Sequence, residues 1–119
     1  MGRLKTRAEF LHVKGGVRFS APSLVLQARP RAEAAGERAD LARFGFTATK
    51  SLGGAVLRNR ARRRLKEAVR LAAPEAAVKG YDYVLIARSG TIQRRFTELI
   101  KDLERALAKV HEPSPAKKR

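Results

Sequence analysis

The sequence predicts a small α+β fold, a two-layer sandwich whose elements follow the order α-β-β-β-α-β-α around a four-stranded sheet. Three observations predict it. Segments with the alternating or apolar patterns of strands occur between segments with the apolar spacing of helices. The chain has 119 residues, which is enough for one domain with one modest core. Its hydrophobic fraction of 44% is that of a folded protein.

A short helix followed by two strands is predicted in the N-terminal part. Thr6 and Glu9 have the spacing of a capping box, so we expect a helix at 7–14 that ends at two glycines. Residues 17–20 form a short extended segment. Residues 24–28 are mostly apolar and are predicted to form a longer strand.

Two further strands and a last helix are predicted beyond residue 40. Residues 29–40 contain no large apolar side chain and are predicted to form a loop. Residues 43–49 alternate between apolar and polar, and 81–87 are mostly apolar, as in a strand buried on both faces. A turn is predicted at 50–54, and the apolar spacing of 93–110 predicts the last helix.

The most informative segment is a basic helix, predicted at 55–73 and ended by Pro74. Seven positive charges lie within residues 58–70, and six of them are arginines. On a helical wheel the apolar residues form one stripe, made of Leu57, Ala61, Leu65, Ala68, Val69 and Ala72. Opposite this stripe lie Asn59, Arg63, Lys66 and Arg70, and its flanks carry Arg58, Arg60, Arg62 and Arg64.

A run of charges on a helix is most often an ordinary solvated surface. Such surfaces mix signs so that side chains one turn apart can pair. Here the window 58–70 contains one acid, Glu67, against seven bases, so repulsion within the helix is uncompensated. The flat guanidinium fork suits phosphate better than a point charge does. We therefore predict that the helix binds a nucleic-acid backbone.

Composition excludes several classes of protein. The formal net charge is +16, from 27 Lys and Arg against 11 Asp and Glu, and an anionic partner would relieve its self-repulsion. The sequence has no apolar run near ~18 residues and no secretory signal. It has no cysteine, which fits a reducing cytoplasm. An anionic membrane is an alternative partner, but no long apolar face flanked by Trp or Phe supports it.

A glycine-rich turn at 47–55 connects a predicted strand to the basic helix. Free amides at the start of a helix can cradle phosphate. The same glycines can simply allow a tight connection, and the two interpretations are compatible. The spacing is not that of a phosphate-binding Walker loop, so nucleotide hydrolysis is not predicted.

Two isolated aromatic residues allow two interpretations. Phe10 and Phe19 can stack unpaired bases near Lys14, Arg18 and Arg43, or they can belong to the core. Five other aromatic residues are predicted to pack in the core, namely Phe44, Phe46, Phe96, Tyr81 and Tyr83.

No catalytic group of the protein is predicted. His12 and His111 are expected to be exposed helix residues. The carboxylates are scattered and are expected to be solvated, including Asp82, Asp102, Glu98 and Glu104. The sequence contains no nucleophile paired with a base and no two-carboxylate metal cluster.

The segment 55–65, with Arg58-Asn59-Arg60 at its centre, resembles the protein subunit of bacterial ribonuclease P, whose basic helix opens with an Arg-Asn-Arg signature. Residues 44–50 resemble the strand that precedes this signature in the family. Residues 81–88 resemble its last strand, and 4–10 resemble its first helix. The resemblance covers residues 4–108, in the family's order.

The resemblance implies a fold like one domain of a small-subunit ribosomal protein, with a left-handed strand–helix–strand crossover. It implies that a catalytic RNA cuts the 5′ leader from precursor tRNA with bound Mg²⁺, and that the protein assists. The chain would then be an endoribonuclease subunit whose catalytic centre lies in the RNA. Mg²⁺ would be bound by the RNA and the substrate, and protein side chains alone would not bind it. The implied partners are ribonuclease P RNA and precursor tRNA, with no membrane and no small-molecule substrate.

The resemblance and the charge pattern together predict two groups of site residues. Catalytic RNA is predicted to contact Lys50, Gly53, Gly54, Arg58, Asn59, Arg60, Arg62, Arg63 and Lys66. A cleft for the single-stranded leader is predicted to be lined by Phe10, Lys14, Phe19, Gln27, Arg43 and Thr47. Lys14 and Gln27 stand where the family commonly has aromatics, so leader binding should depend more on charge and hydrogen bonds. Ser51 and Gly54 replace a frequent Lys and Asn of the turn.

The predicted organisation is one RNA-binding domain at 1–111 and a disordered basic tail at 112–119. Two other functions stay open from sequence. A ribosomal or ribosome-associated RNA-binding protein of the same fold would sediment with ribosomes. A stand-alone protein nuclease would need a carboxylate cluster, which the sequence lacks.

Overall fold

The computed structural model describes residues 2–31 and 41–112. Its strands are β1 (Gly2–Arg3), β2 (Val17–Ser20), β3 (Leu24–Pro30), β4 (Arg43–Thr47) and β5 (Tyr81–Ala87). Its helices are α1 (Arg7–Lys14), α2 (Ala55–Ala76), α3 (Ser89–Gln93) and α4 (Phe96–Val110), and a 3₁₀ turn spans Lys50–Leu52. Most of the predicted loop, at 32–40, and the predicted tail from 113 onward lie outside the described residues.

The strands form one mixed sheet in the order β1-β4-β5-β3-β2. The prediction of four strands is wrong, because the two residues of β1 pair in parallel with the start of β4. β3 is antiparallel to both β2 and β5, whereas β4 and β5 are parallel. Parallel neighbours need a crossover connection, and α2 provides it. The left hand of this crossover stays a prediction from the resemblance.

The core lies mainly on one face of the sheet. Leu24, Leu26 and Leu85 point from the strands toward α2 and α4, which cover this face. On the other face a smaller cluster of Leu4, Val13 and Val84 lies beneath α1. Among residues 2–31 and 41–112, one short helix covers the α1 side of the sheet, and these residues leave part of that side open.

The predicted apolar stripe of α2 is confirmed except at its start. Ala61 and Leu65 are fully buried, and Ala68, Val69 and Ala72 are buried as well. Leu57 is 40% exposed, because it lies in the first turn of α2, next to Gly53, at the margin of the core. The predicted core aromatics Phe44 and Tyr83 are buried and stack with their ring centroids 4.9 Å apart.

The predicted ends of α2 and β3 are wrong. Pro74 does not end α2, which continues to Ala76. Proline removes one backbone donor, but this close to the end of the helix little hydrogen bonding is lost, and the Ala77 amide still donates to the Ala73 carbonyl. β3 extends to Pro30 because its last two residues pair with the start of β5.

The predicted last helix starts at Phe96 instead of 93, and a short helix that the sequence did not predict, α3, precedes it. The backbone leaves the helical conformation at Arg94 and Arg95, where ψ is 152° and 146°, and this separates α3 from α4. Thr91 stabilises the start of α3, since its hydroxyl accepts a hydrogen bond from the Arg88 amide at 3.0 Å. Ser89–Gln93 contains one large apolar side chain, Ile92, and for this reason apolar spacing does not reveal α3.

Candidate nucleic-acid interface

The basic face of α2 points away from the core. Burial of Ala61, Leu65 and Ala68 on one side of the helix leaves the opposite side to solvent. Five polar side chains of this segment are exposed, namely Asn59, Arg60, Arg63, Lys66 and Arg70. Three lie at the margins and are half-buried, namely Arg58, Arg62 and Arg64. The predicted division between an apolar and a cationic side is confirmed.

Most of these cations have no acidic partner among the described residues. Within the part of the chain that the structure describes, the guanidinium groups of Arg58, Arg60 and Arg63 make no hydrogen bond or ion pair. The Nε atom of Arg58 is enclosed yet unpartnered. Arg70 pairs with Glu67, the single acid of the segment. The described residues therefore leave the positive charge of α2 largely uncompensated.

Asn59 has a partner on its own helix. Its side-chain oxygen accepts a hydrogen bond of 2.7 Å from Arg62 Nη1. The contact orients the Arg62 guanidinium along the surface of α2. An amide oxygen does not neutralise the charge, so Arg62 stays available for an anion.

Arg64 differs from its neighbours because its guanidinium turns toward the protein. Its Nε donates to the Thr91 carbonyl at 2.7 Å, and its Nη2 donates to the Arg94 carbonyl at 2.5 Å. The guanidinium carbon lies 5.6 Å from the centroid of the Phe96 ring. Arg64 thus connects α2 to the junction of α3 and α4, and it is a structural residue within a run of surface arginines.

The turn before α2 exposes the start of that helix. Gly53 has a φ of +144°, which side-chain-bearing residues rarely adopt, and a Cβ there would lie 2.6 Å from Leu57 Cδ1. Gly54 is the N-cap, and no side chain caps the first turn of α2. A Cβ at Gly54 would meet no atom within 4 Å, so an approaching ligand finds open space. Lys50 is exposed beside this turn.

Four of the predicted leader residues lie on α1 or on the opposite face of the sheet, which α1 covers in part; we call this face the cleft beneath α1. Phe10 lies against Gly45 so closely that a Cβ at residue 45 would be 2.5 Å from its ring. Gln27 is 6% exposed, and its side-chain amide makes no hydrogen bond with any described residue. Thr47 is half-buried, and Lys14 is exposed at the end of α1.

Two predicted cleft residues are not available to a ligand in the way the sequence suggested. Phe19 pairs in register with Leu26 and packs against the main core, on the face away from α1. Arg43 lies at the cleft, but its Nη2 is 2.7 Å from Asp82 Oδ2 and its Nη1 is 3.0 Å from Glu9 Oε2. The hydrogen bond with Asp82 raises the pKa of Arg43. Phe19 therefore lies outside the cleft. Arg43 supports the wall of the cleft through its ion pairs with Asp82 and Glu9.

Comparison with known proteins decides the family. The family model described as Ribonuclease P matches residues 2–111. The chain is 52% identical to the ribonuclease P protein component of Gluconacetobacter diazotrophicus over 108 residues, which is 90% of this chain and 89% of that protein. It is 50% identical to that of Ruegeria pomeroyi over 113 residues, 94% of this chain and 88% of that protein.

The chain belongs to the ribonuclease P protein family.

Solved structures of this family have the same fold. The ribonuclease P protein from Thermotoga maritima superposes with a TM-score of 0.75 at 26% identity, over 94% of this chain and all of that one. The protein from Staphylococcus aureus gives a TM-score of 0.74 at 25% identity, over 93% of this chain and 96% of that one. The family resemblance derived from the sequence is confirmed.

Sequence reasoning missed a buried charge network beside the cleft of this ribonuclease P family member. Asp82 was expected to be solvated but is 1% exposed. It pairs with Arg43 and also with Arg31, whose Nη1 lies 2.5 Å from Asp82 Oδ1. An acid inside the apolar run 81–87 was the available signal, since a carboxylate is rarely buried without cationic partners.

Asp102 is a second carboxylate that was expected to be solvated and is 8% exposed. It accepts a hydrogen bond of 2.6 Å from the Ser23 hydroxyl and pairs with Arg94 at 2.9 Å. The network connects the turn before β3 to α4. Helical spacing predicts that Asp102 lies on the surface. Its contact with Ser23 becomes visible only when α4 packs against the turn before β3.

His111 is not the exposed residue that the sequence predicted. Its Nε2 lies 2.6 Å from the Tyr83 hydroxyl, and its ring packs edge-on against Tyr81. Burial lowers the pKa of His111 and raises the pKa of Tyr83 to about 12. The Tyr83 hydroxyl also accepts a hydrogen bond of 2.8 Å from the Val78 amide, and the tautomer of His111 sets which partner donates in the bond between Tyr83 and His111.

The described residues offer no protein cluster for a metal. Among residues 2–31 and 41–112, no three His, Asp or Glu side chains come together in a geometry that holds an ion. The same residues contain no helix that combines the length and the apolar character of a membrane span.

Proposed function

We propose that this chain binds the catalytic RNA of ribonuclease P through α2 and the turn before it, and holds the 5′ leader of precursor tRNA in the cleft beneath α1. Membership of the ribonuclease P family supports the reaction, which is endonucleolytic removal of the leader during tRNA maturation. The uncompensated cationic side of α2 is the single observation that supports the assignment of surfaces.

The first surface is a phosphate-binding face on α2. Its members are Arg58, Asn59, Arg60, Arg62, Arg63 and Lys66. Guanidinium groups bind phosphate oxygens through two parallel hydrogen bonds, and the RNA would supply the negative charge that α2 lacks in the free protein. Asn59 orients Arg62 and offers its own amide to the RNA.

The turn before α2 extends this face. Lys50 is exposed, and the amides that follow Gly53 and Gly54 lie at the start of a helix of 22 residues. Helix starts carry unpaired N–H groups and a partial positive charge, which favour a phosphate. The open space at Gly54 lets a phosphate approach the backbone.

The second surface is the leader cleft. Phe10 would stack a base on its ring, and Lys14 would contribute a positive charge. Gln27 would contribute a side-chain amide that makes no hydrogen bond with any described residue, and Thr47 would contribute a hydroxyl. Arg43 supports the wall through Asp82 and Glu9, and Phe19 is not part of the cleft. Glu9 stays ionised in this role, because the Lys5 and Thr6 amides lower its pKa, with a further contribution from Arg43. With one aromatic ring in place of several, sequence-independent polar contacts would dominate leader binding.

Bond cleavage belongs to the RNA in this proposal. Mg²⁺ would be bound by RNA and substrate phosphates, where it supplies the charge that stabilises the leaving oxygen. The protein residues contribute positive charge and orientation only. We also propose a cytoplasmic location, one RNA-binding domain at 1–111 and a basic tail at 112–119.

Reconstitution tests the proposal. Purified protein is added to catalytic RNA and precursor tRNA at a Mg²⁺ concentration where the RNA alone is slow. Leader removal should accelerate, because the protein raises substrate affinity and relieves repulsion between two polyanions. Co-sedimentation with ribosomes and an unchanged rate of leader removal would instead support a ribosome-associated RNA-binding protein.

A further inference from the structure

A groove follows the outer edge of β4 and lies between α2 and the N-terminal segment. Four residues line its whole length, namely Arg3, Phe44, Phe46 and Lys66. Toward the C-terminal half of α2 it widens to a hollow of about 220 Å³, which Val69 and Arg70 complete. Toward α1 it narrows to about 110 Å³, where Arg62 and Phe10 complete its lining. We call this feature the β4-edge groove.

The backbone of β4 is unpaired in this groove. The Gly2 amide donates to the Ala42 carbonyl and the Leu4 amide to the Phe44 carbonyl, so even-numbered carbonyls of this segment point outward. Because backbone groups alternate along a strand, the amide and carbonyl of Phe46 point the same way. β1 ends at Arg3, and no described residue pairs with Phe46 on that side. One donor and one acceptor therefore face the groove.

The groove combines an aromatic floor with a cationic rim. Phe46 is half-buried, with its inner side packed against the main core and its outer side lining the groove. Lys66 Nζ lies 6.0 Å from the centroid of the Phe46 ring, which is the outer limit of a cation–π contact. A lysine at that distance is free to move to a phosphate and uncover the ring. Arg3 and Arg70 add charge at the same rim.

We propose that the β4-edge groove binds one unpaired nucleotide of the catalytic RNA, with its base against Phe46 and its phosphates on Lys66 and Arg70. The free amide and carbonyl of Phe46 would hydrogen-bond the edge of the base. The volumes are below the ~300–1,000 Å³ of sites for larger ligands, so one ring system is the expected occupant. This inference depends on the proposed binding of catalytic RNA by α2.

The position of the groove on α2 favours the catalytic RNA over the leader. Lys66 and Arg70 continue the same side of the helix as Arg63, at spacings of about one and two turns. An RNA strand bound along this side meets the groove directly. The narrow end of the groove reaches Phe10 of the leader cleft, whereas its wider end lies along α2 at Val69 and Arg70.

Equilibrium binding of the catalytic RNA to the full chain tests the inference. Phe46→Leu removes the ring and keeps an apolar side chain, and it should weaken binding by about fivefold or more, as expected for one lost base–aromatic stack. Phe46→Tyr keeps a ring and should bind like wild type. Phe96→Leu is the matched control, because Phe96 is also a half-buried core aromatic beside a cation, Arg64, but lies outside the groove.

Chemical probing of the RNA supplies a second readout. One unpaired base should be protected by wild type and by Phe46→Tyr, and become reactive with Phe46→Leu. The salt dependence of Phe46→Leu should equal that of wild type, because no phosphate contact is lost. If Phe46→Leu proves poorly folded by circular dichroism, Phe46→Met gives a ring-free variant with a more adaptable side chain.

Two results would overturn the proposal that the β4-edge groove binds a nucleotide and would leave the proposed RNA binding by α2 intact. In one, Phe46→Leu and Phe96→Leu bind catalytic RNA equally. In the other, Phe46→Leu affects only the binding of precursor tRNA by the assembled holoenzyme. Failure of wild-type protein to bind the catalytic RNA would overturn the proposed function itself.

Discussion

Arg64 donates a hydrogen bond of 2.7 Å to the carbonyl of Thr91, which lies 27 positions further along the chain. This contact makes one arginine of the basic run a structural residue, while Arg63 beside it stays exposed and unpartnered. The two residues are adjacent in sequence and carry the same charge. Their different surroundings allow stability and RNA binding to be separated by experiment.

Arg64→Ala should lower the free energy of unfolding by about 1–3 kcal/mol, because two carbonyls at the α3–α4 junction lose their donors. Arg63→Ala should leave the urea midpoint unchanged and weaken RNA binding. Urea unfolding followed by circular dichroism measures the first effect. Equal destabilisation by both variants would show that the Arg64 contacts do not stabilise the fold.

Arg58→Ala combined with Arg60→Ala should weaken binding of the catalytic RNA and leave helicity intact. With about five phosphate contacts, wild-type affinity should fall roughly 500-fold between about 50 and 200 mM salt, using a duplex slope of about −0.9 per contact. For the double variant, the slope of log affinity against log salt concentration should be shallower, by the equivalent of about two phosphate contacts. Single-stranded regions would give shallower slopes.

A matched control for this pair is Lys79→Ala combined with Arg105→Ala. Both residues are exposed and lie outside α2, and the change in net charge is the same. The control should bind RNA with a slope close to that of wild type. If both pairs lower affinity equally, net charge and not the α2 face determines binding.

Gly45→Ala should weaken the binding of precursor tRNA by the holoenzyme. The new Cβ would lie 2.5 Å from the Phe10 ring, so the ring must move within the cleft beneath α1. Mature tRNA, which has no leader, should bind as before. Comparing the two tRNA ligands isolates the leader contribution. An equal loss for both would place Phe10 outside the leader site.

Asp82→Asn should destabilise the protein by about 3–5 kcal/mol, because it leaves Arg31 and Arg43 without their buried carboxylate. Glu67→Gln removes an exposed acid that pairs with Arg70 and should not measurably change stability. Thermal or urea unfolding of the two variants provides the comparison. A stable Asp82→Asn protein would mean that amide hydrogen bonds suffice at this position.

Stability should fall as the pH decreases through the titration of His111. Burial lowers the pKa of His111 below its usual value of 6.5 in the folded state, so the neutral ring is favoured there. The stabilisation is fully present above pH 6.5 and is lost as the pH falls from there through the folded pKa. His111→Gln should flatten the unfolding free energy across this window. An unchanged slope would exclude His111 as its source.

Local rules were sufficient for most elements. Thr6 caps α1 and accepts from the Glu9 amide at 3.2 Å, as the spacing of these residues predicts. The apolar run 81–87 is β5 to the residue. In both cases neighbouring residues determine the conformation, through a capping contact or through strong β-propensity.

The errors occurred where distant residues decide the outcome. Phe19 has the sequence neighbours of a base-stacking residue, but its register against Leu26 turns it to the core face. β1 forms because β4 presents a free edge to the first residues of the chain. Hydrophobic spacing carries no information on which strand lies at an edge, so neither result was available from the pattern.

By itself the sequence determined the family, the order of the main elements and the cationic side of α2, because apolar spacing and charge density are local properties. Tertiary structure alone decided which charges are free. Arg64, Arg43 and Asp82 are engaged by partners that lie 27 to 51 positions away along the chain. Contacts of that range arise only when the sheet and helices assemble, and they separate the residues that hold the fold from those left to bind RNA.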